Sequence, residues 1–383
     1  AKMLGNGVDP VDIIDKYGAD ALRFTLAELA TETQDIRMPV VEDKLPDGRK
    51  INISPKFEKG RNFCNKLWQA SVGFLLPNLE GHAPLPLDRK QLRLEDRWIL
   101  SRMTSCLKRV DEALARFRFS ETVGELYRFM WDDYCSAYLE MTKSRINGPD
   151  GNVAKQVLAF VLDRMLRMLH PVVPYVTEAV WEELRRVSQY RGIDTIDEAP
   201  HALISADWPS VDPTLHDPKV ESEMEHIQAV IRVGREIRTT VNEYLGQSKS
   251  PTIRSLPLMV VTADAAVCRS FESHKAFIAA LAQCDKLEIG ENAAKPAGSL
   301  SRVIGPVTVH VPVANLIDLG LVKATEEKKL ADLREALARS DKQLSNDNFV
   351  KRADPAVVEA ARQRAADLRA QIEAGERHIA ELQ

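Results

Sequence analysis

Between about residue 55 and residue 190 the apolar residues recur every three or four positions, the period that lays one stripe along a helix. The stripes are Phe63, Leu67 and Trp68; Trp98, Ile99, Met103, Leu107 and Val110; Leu126, Phe129 and Met130; and Leu158, Leu162, Leu166 and Leu169. Pro/Gly-rich breaks at 77–86 and at Gly148-Pro149-Asp150-Gly151 divide them, so a bundle of helices is predicted, with these aromatic and methionine side chains in its core. Upstream, Asp9 before Pro10 reads as an N-cap with proline at the first helical position, and Gly18 ends that short helix. Asp20 then sits in the first turn of a second helix, where a negative charge meets the positive end of the helix dipole. The loop Leu45-Pro46-Asp47-Gly48 marks a boundary. Residues 190–215, rich in Asp and Pro, read as a connector that Trp208-Pro209 packs back onto the bundle.

The pattern changes after residue 219. A helix from about Glu221 to Asn242 is followed by strand-like runs at 258–261, 286–289 and 307–313, with a helix at 277–282 between two of them, which predicts a small α+β domain. The segment 322–383 places Leu330, Leu333, Leu337 and Leu344, then Ala361, Ala365, Leu368, Ile372, Ile379 and Leu382, in alternating steps of three and four. The rhythm stops between Asn346 and Pro355, which predicts two helices returning on each other as an antiparallel coiled-coil hairpin, with Ser340 and Gly375 weakening its seam locally. The fold class is therefore mainly α: a helical bundle, a small α+β linker domain and a C-terminal antiparallel hairpin.

Composition narrows the function classes. The 383 residues, 44% hydrophobic and 28% charged, suit several folded domains, and no stretch nears the roughly 18 apolar residues a membrane-spanning helix needs. The amino terminus lacks the apolar run of a signal peptide, so a cytoplasmic location is expected. Cys64, Cys106, Cys135, Cys268 and Cys284 are odd in number and scattered, without a Cys-x-x-Cys pair. That argues against disulfides and zinc and for buried thiols. The net charge of −4 hides an asymmetry: residues 55–190 hold about 21 Lys/Arg and 17 Asp/Glu, near +4, leaving the remainder near −8. A local basic excess is weak support for an RNA partner.

Specific motifs carry the reading further. Leu4-Gly5-Asn6-Gly7-Val8-Asp9-Pro10 and Ile13-Ile14-Asp15-Lys16-Tyr17-Gly18-Ala19-Asp20-Ala21-Leu22-Arg23 resemble the stretch that follows the signature lysine loop of class I aminoacyl-tRNA synthetases for aliphatic amino acids. Gly60-Arg61-Asn62-Phe63-Cys64-Asn65-Lys66-Leu67-Trp68 and Glu95-Asp96-Arg97-Trp98-Ile99-Leu100-Ser101-Arg102 resemble the first two helices of that family's anticodon-binding bundle. Phe119-Ser120 to Tyr138-Leu139-Glu140 and Leu169-His170-Pro171-Val172-Val173-Pro174-Tyr175-Val176-Thr177-Glu178 follow the same pattern. Leu344-Ser345-Asn346-Asp347-Asn348-Phe349-Val350-Lys351-Arg352-Ala353, with Pro355 and a second helix after it, resembles the terminal arm of valyl-tRNA synthetases. The isoleucyl branch carries zinc-binding cysteines that this chain lacks, and the leucyl branch has no long terminal hairpin.

The resemblance implies four segments: 1–48 as the end of the class I catalytic domain and stem-contact region, 49–212 as the anticodon-binding domain, 213–320 as the linker domain and 321–383 as the tRNA-binding arm. It implies a parent enzyme that joins valine to tRNA(Val) with ATP and Mg²⁺. Lys2 is the ATP-binding candidate, but Leu4 follows Lys2-Met3 where the family loop continues Ser-Lys-Ser, and no His-x-Gly-His pairing exists. No catalytic residue, metal ligand or cofactor is expected in this chain, and it is not expected to activate valine by itself.

What remains is recognition of a folded RNA by phosphate contacts for position and by unstacked loop bases for sequence. Arg61, Asn62, Asn65 and Lys66 lie three or four residues apart on the first bundle helix and supply amide and cationic donors for the anticodon, and Trp68 is a candidate for stacking on a base. For the tRNA elbow the resemblance implies the arm, with Lys351 and Arg352 near its turn and Arg362 and Arg369 seven residues apart on one face. The expected partner is tRNA(Val), bound by a monomer with no DNA or membrane involved. Two other readings stay open: a synthetase-like RNA-binding paralogue, and a helical scaffold whose coiled coil binds another protein.

Overall fold

The computed structural model describes residues 7–31, 35–247, 249–256, 259–263, 265–291, 293–317, 319–345 and 355–381. Packing divides the chain into two compact units, Ala1–Met224 and Glu225–Gln383.

In the first unit, helix α1 (Pro10–Tyr17) begins where the Asp9 carboxylate accepts the Val11 N–H and ends at Gly18, whose φ of 93° few other residues adopt. Helix α2 (Ala19–Leu29) follows directly. Strands β1 (Val41–Lys44) and β2 (Lys50–Ile53) pair antiparallel, with Val41 opposite Ile53. The loop Leu45-Pro46-Asp47-Gly48, read from sequence as a boundary, is the connection of this hairpin. Leu45, Ile51 and Ile53 share one core with Ile13, Tyr17, Ala21 and Phe57.

Helix α3 (Phe57–Trp68) crosses α2 at Gly60, where a Cβ would lie 2.6 Å from the Ala21 carbonyl oxygen and 3.0 Å from Thr25 Oγ1. Because the obstacle is backbone, Gly60→Ala is expected to push the helices apart and to cost about 1–3 kcal/mol in urea unfolding. An unchanged midpoint would mean that α2 and α3 separate freely.

The bundle continues without a break from α3 through a π-wound stretch, Gln69–Leu75, into α4 (Leu76–Leu79). Next come α5 (Leu94–Ala115) and α6 (Phe119–Arg128), the latter extended by a second π-wound stretch, Phe129–Tyr138, and by α7 (Leu139–Thr142). Helices α8 (Gly151–Leu169) and α9 (Pro174–Val187) complete it. Phe63, Leu67, Ile99, Val110, Met130, Leu158, Leu162 and Leu166 are fully or almost fully buried, the stripe positions of the apolar pattern.

Two polar joints fix this unit. The buried Asp20 carboxylate accepts the N–H groups of Tyr175 (3.2 Å) and Val176 (2.6 Å), so it caps α9 across 155 residues of sequence. Burial pushes its pKa up, with the two amides pulling the other way. Arg23 donates to the carbonyls of Pro171 (2.8 Å) and Val172 (3.1 Å) at the same corner. A short hairpin of β3 (Tyr190–Arg191) and β4 (Asp197–Glu198) carries Arg191 into the bundle wall. In the connector, Trp208 is 40% exposed and donates its indole N–H to Asp111 at 2.8 Å, so it meets the bundle at its edge.

Helix α10 (Pro218–Gln247) starts on this unit: Glu221 accepts from Ser101 (2.5 Å), Ser105 (3.1 Å) and Arg102 (3.2 Å).

In the second unit, β5 (Met259–Ala263), α11 (Ala265–Ser273), α12 (Lys275–Ala282), β6 (Leu287–Glu291), β7 (Ser299–Ile304) and β8 (Val307–Pro312) form a four-stranded sheet of order β6-β5-β8-β7 with its helices. Strands β5 and β6 run parallel, joined through the two helices, and the other described strand pairs of the sheet are antiparallel. Strand β7 and helix α11 were not anticipated from the sequence. Helices α13 (Leu319–Leu344) and α14 (Pro355–Glu381) pack on one another, and the pairs Arg334–Glu376 (2.5 Å) and Arg369–Asp341 (2.7 Å) step up one helix and down the other, so the two run antiparallel. Leu330, Ala365 and Ser340 are buried along the seam, and Gly375 lies 3.4 Å from Leu330 at its would-be Cβ. The predicted turn at 346–354 lies outside the described residues. Among the described residues no helix is long and apolar enough to cross a membrane.

Candidate nucleic-acid interface

Helix α3 buries Phe57, Gly60, Phe63 and Leu67. That face leaves Asn62, Asn65, Trp68 and Gln69 on the outside. Trp68, placed in the core stripe by the apolar pattern, is 38% exposed, because it follows Leu67 by one residue and so stands about 100° round the helix from it. Two cations of the predicted set are drawn onto rings. The Arg61 guanidinium lies 5.4 Å from the Tyr17 ring centre, and Lys66 Nζ lies 5.7 Å from that of Trp131; both side chains are half-buried.

Sequence reasoning missed the wall beside them. Phe24 stacks on Phe63 (4.6 Å between centres), Phe63 on Tyr127 (5.7 Å), and Tyr127 on Trp131 (5.4 Å, planes 9° apart), a run of rings from the core to the half-exposed surface. Lys59, ion-paired with Glu28, sits 4.6 Å over the Tyr127 ring. Burial pushes the Tyr127 phenol up, with Lys59 pulling the other way. Tyr127 and Trp131 are four residues apart, one helical turn, and that spacing was the signal available in the sequence. Both helices change to π winding at this wall, immediately after Trp68 in one and two residues before Trp131 in the other. Stretches of π winding are rare and concentrate at functional sites. Flat rings, amides and half-desolvated cations together offer what an unstacked base and its phosphates require.

The other predicted residues are placed unevenly. Lys2, Lys351 and Arg352 lie outside the described residues. Arg362 is exposed and engaged in an interaction of its own. Arg369 is 59% exposed while held by Asp341 across the hairpin. Among the thiols only Cys106 and Cys135 are fully buried; Cys64, Cys268 and Cys284 are partly so. Burial pushes Cys64, Cys106 and Cys135 up to about 12, which keeps them as thiols. Among the described residues no three His, Cys, Asp or Glu side chains gather in a way that could hold a metal ion.

Comparison with known proteins adds three family models and a set of relatives. Residues 96–253 match the family model described as the anticodon-binding domain of tRNA ligase, residues 318–383 that of the valyl tRNA synthetase tRNA binding arm, and residues 1–39 that of tRNA synthetases class I (I, L, M and V). Valine–tRNA ligases of Rhodopirellula baltica (35% identical over all of this chain and 40% of the relative), Carboxydothermus hydrogenoformans (34%, over 95% and 38%) and Enterococcus faecalis (33%, over 100% and 40%) are among its relatives. The chain thus spans about 40% of the length of these relatives. The three family models fall in order along the sequence, and over nearly all of its length the chain is similar to valyl-tRNA synthetases.

Proposed function

We propose that this chain is the tRNA-recognition part of a valine–tRNA ligase, an enzyme that joins valine to tRNA(Val) at the expense of ATP with Mg²⁺. In this reading the bundle reads the anticodon with Arg61, Asn62, Asn65, Lys66 and Trp68, joined by Tyr127 and Trp131. The antiparallel arm meets the tRNA elbow through Arg362 and Arg369, with Lys351 and Arg352 near its turn. The observation that carries the reading is the exposed face of α3, where two amides and an indole stand beside a stacked aromatic wall overlaid by lysines. Activation of valine belongs to the parent enzyme, where Lys2 is the candidate contact to ATP, and this chain alone is expected to support no valine-dependent ATP–pyrophosphate exchange. It acts as a cytoplasmic monomer.

The test is binding of fluorescent tRNA(Val) against other tRNAs across a salt series. Asn62→Ala and Trp68→Ala are each expected to weaken tRNA(Val) by about 1–3 kcal/mol when a base edge or face is lost. An anticodon stem-loop should lose as much. Equal losses across all tRNAs would reduce these residues to phosphate positioning, and binding indifferent to salt would overturn the RNA reading, since phosphate contacts release counterions.

A further inference from the structure

Helix α5 ends in an uncommon way. The Arg118 N–H donates to the Ala113 carbonyl (2.9 Å) and the Phe117 N–H to that of Leu114 (3.0 Å), the paired bonds of a Schellman ending. That ending needs left-handed backbone at the intervening residue, and Phe117 supplies it with φ at 55°. Glycine adopts this conformation freely; a bulky side chain is strained in it. The ring gains no packing in return, for Phe117 is 77% exposed and Phe119 beside it 45%.

Around the corner runs an open groove of about 490 Å³ lined by four arginines, Arg109, Arg116, Arg118 and Arg128, and by three glutamates, Glu112, Glu121 and Glu125. Glu125 holds Arg109 (2.7 Å) and Arg128, and Glu121 holds Arg118 (3.4 Å). Arg116 is exposed and without an ion pair among the described residues. A guanidinium keeps further donors after one carboxylate contact, and its plane stacks on bases. A folded protein partner would cover two exposed rings best with an apolar rim, whereas the groove beside them is lined by charged side chains, four arginines against three glutamates, and the residues flanking Phe117 in sequence are Arg116 and Arg118. Backbone strain held at an exposed residue without a packing return is a pointer to function.

We propose that this corner is a second RNA-binding surface of the bundle, on which Phe117 stacks an unpaired base while Arg116 and Arg118 take flanking phosphates. The proposal rests on the reading of the chain as tRNA-binding.

The experiment compares the full chain with Phe117→Gly, Phe117→Leu and Arg116→Gln for thermal stability and for tRNA binding across a salt series. Phe117→Gly should raise the melting midpoint by about 2–4 °C, because it releases the strain, yet weaken tRNA binding about fivefold or more. Phe117→Leu keeps the strain and an apolar group without a flat face, so it should lose affinity with no gain in midpoint. Arg116→Gln should lower the slope of log K against log salt by about 0.9 or less. Wild-type binding that Phe117→Gly leaves unchanged would overturn the corner assignment alone. Absence of tRNA binding by the wild type would overturn the reading beneath it and this proposal together. A destabilised Phe117→Gly chain would show that the ring holds the corner, and would also overturn it.

Discussion

Arg145→Met should remove about 3–5 kcal/mol from the stability of the helical unit, because it strips the counter-ion from a buried cluster. The Arg145 side chain is 5% exposed and reaches Glu95 (2.6 Å), Asp96 (2.9 Å) and Asp150 (3.0 Å), tying the start of α5 to the turn before α8. Tyr138 donates to the second oxygen of Asp96 at 2.6 Å. Burial works against the charge of Arg145, yet the carboxylates of Asp96 and Glu95 outweigh it and hold its pKa above the ordinary value. Methionine matches the volume and none of the hydrogen bonds. It would leave Glu95 and Asp96 as neighbouring buried anions.

The loss should shrink in acid. Burial first, and then Asp96, raise the Glu95 pKa, while Arg145 lowers it. A carboxyl whose folded pKa lies above its unfolded value binds more protons when folded, so its contribution to stability improves as pH falls through that folded pKa. Without Arg145 the folded pKa climbs further, and the variant should recover part of its deficit as pH falls from neutral. All five tryptophans lie within residues 1–224, so their fluorescence in urea follows this unit alone. A deficit that is constant or grows as pH falls would mean that uncompensated carboxylates are not its cause.

These clusters explain which parts of the fold were legible beforehand. Local signals read correctly: the Asp9 cap, the Gly18 stop and the three-four rhythm of the bundle each depend on residues within a turn or two of one another. Asp20 shows where local reading ends, since its position in α2 suggests only a dipole contact while its carboxylate caps a helix, accepting from Tyr175 at a separation of 155 residues. The strand β7 went unread because Ser299–Ile304 alternates weakly and owes its place to pairing with β8. Trp68 illustrates the same limit for the candidate site. Whether an aromatic at the border of an apolar stripe turns inward depends on its neighbours. Charged residues are the hardest class, for a sequence offers Arg145 and Arg191 as solvated side chains and the fold makes them centres of buried networks.

The second such network leads to the other large effect. Asp163, 2% exposed, accepts from Arg167 (2.8 Å) and Arg164 (2.8 Å) and ion-pairs with Arg191 (2.9 Å), and the Arg191 and Arg167 guanidinium groups lie 4.3 and 5.2 Å from the Trp181 ring centre. Burial pushes Arg191 down to about 10, against the pull of Asp163 and with the push of Arg167. Arg191 thus stays charged at neutral pH in a site where one carboxylate serves three cations. Asp163→Ala should cost about 3–5 kcal/mol, because it leaves these cations facing each other with Arg191 buried and uncompensated. Asp163→Asn keeps the volume and an acceptor but no charge, so it should fall between the wild type and Asp163→Ala. The alanine variant also vacates the space of a carboxylate, and formate, which has that shape and charge, should raise its urea midpoint more than chloride at equal ionic strength. Equal stability of Asp163→Asn and the wild type would show that hydrogen bonding rather than charge holds the three arginines. A formate effect no larger on Asp163→Ala than on the wild type would remove the case for an unmet buried cation.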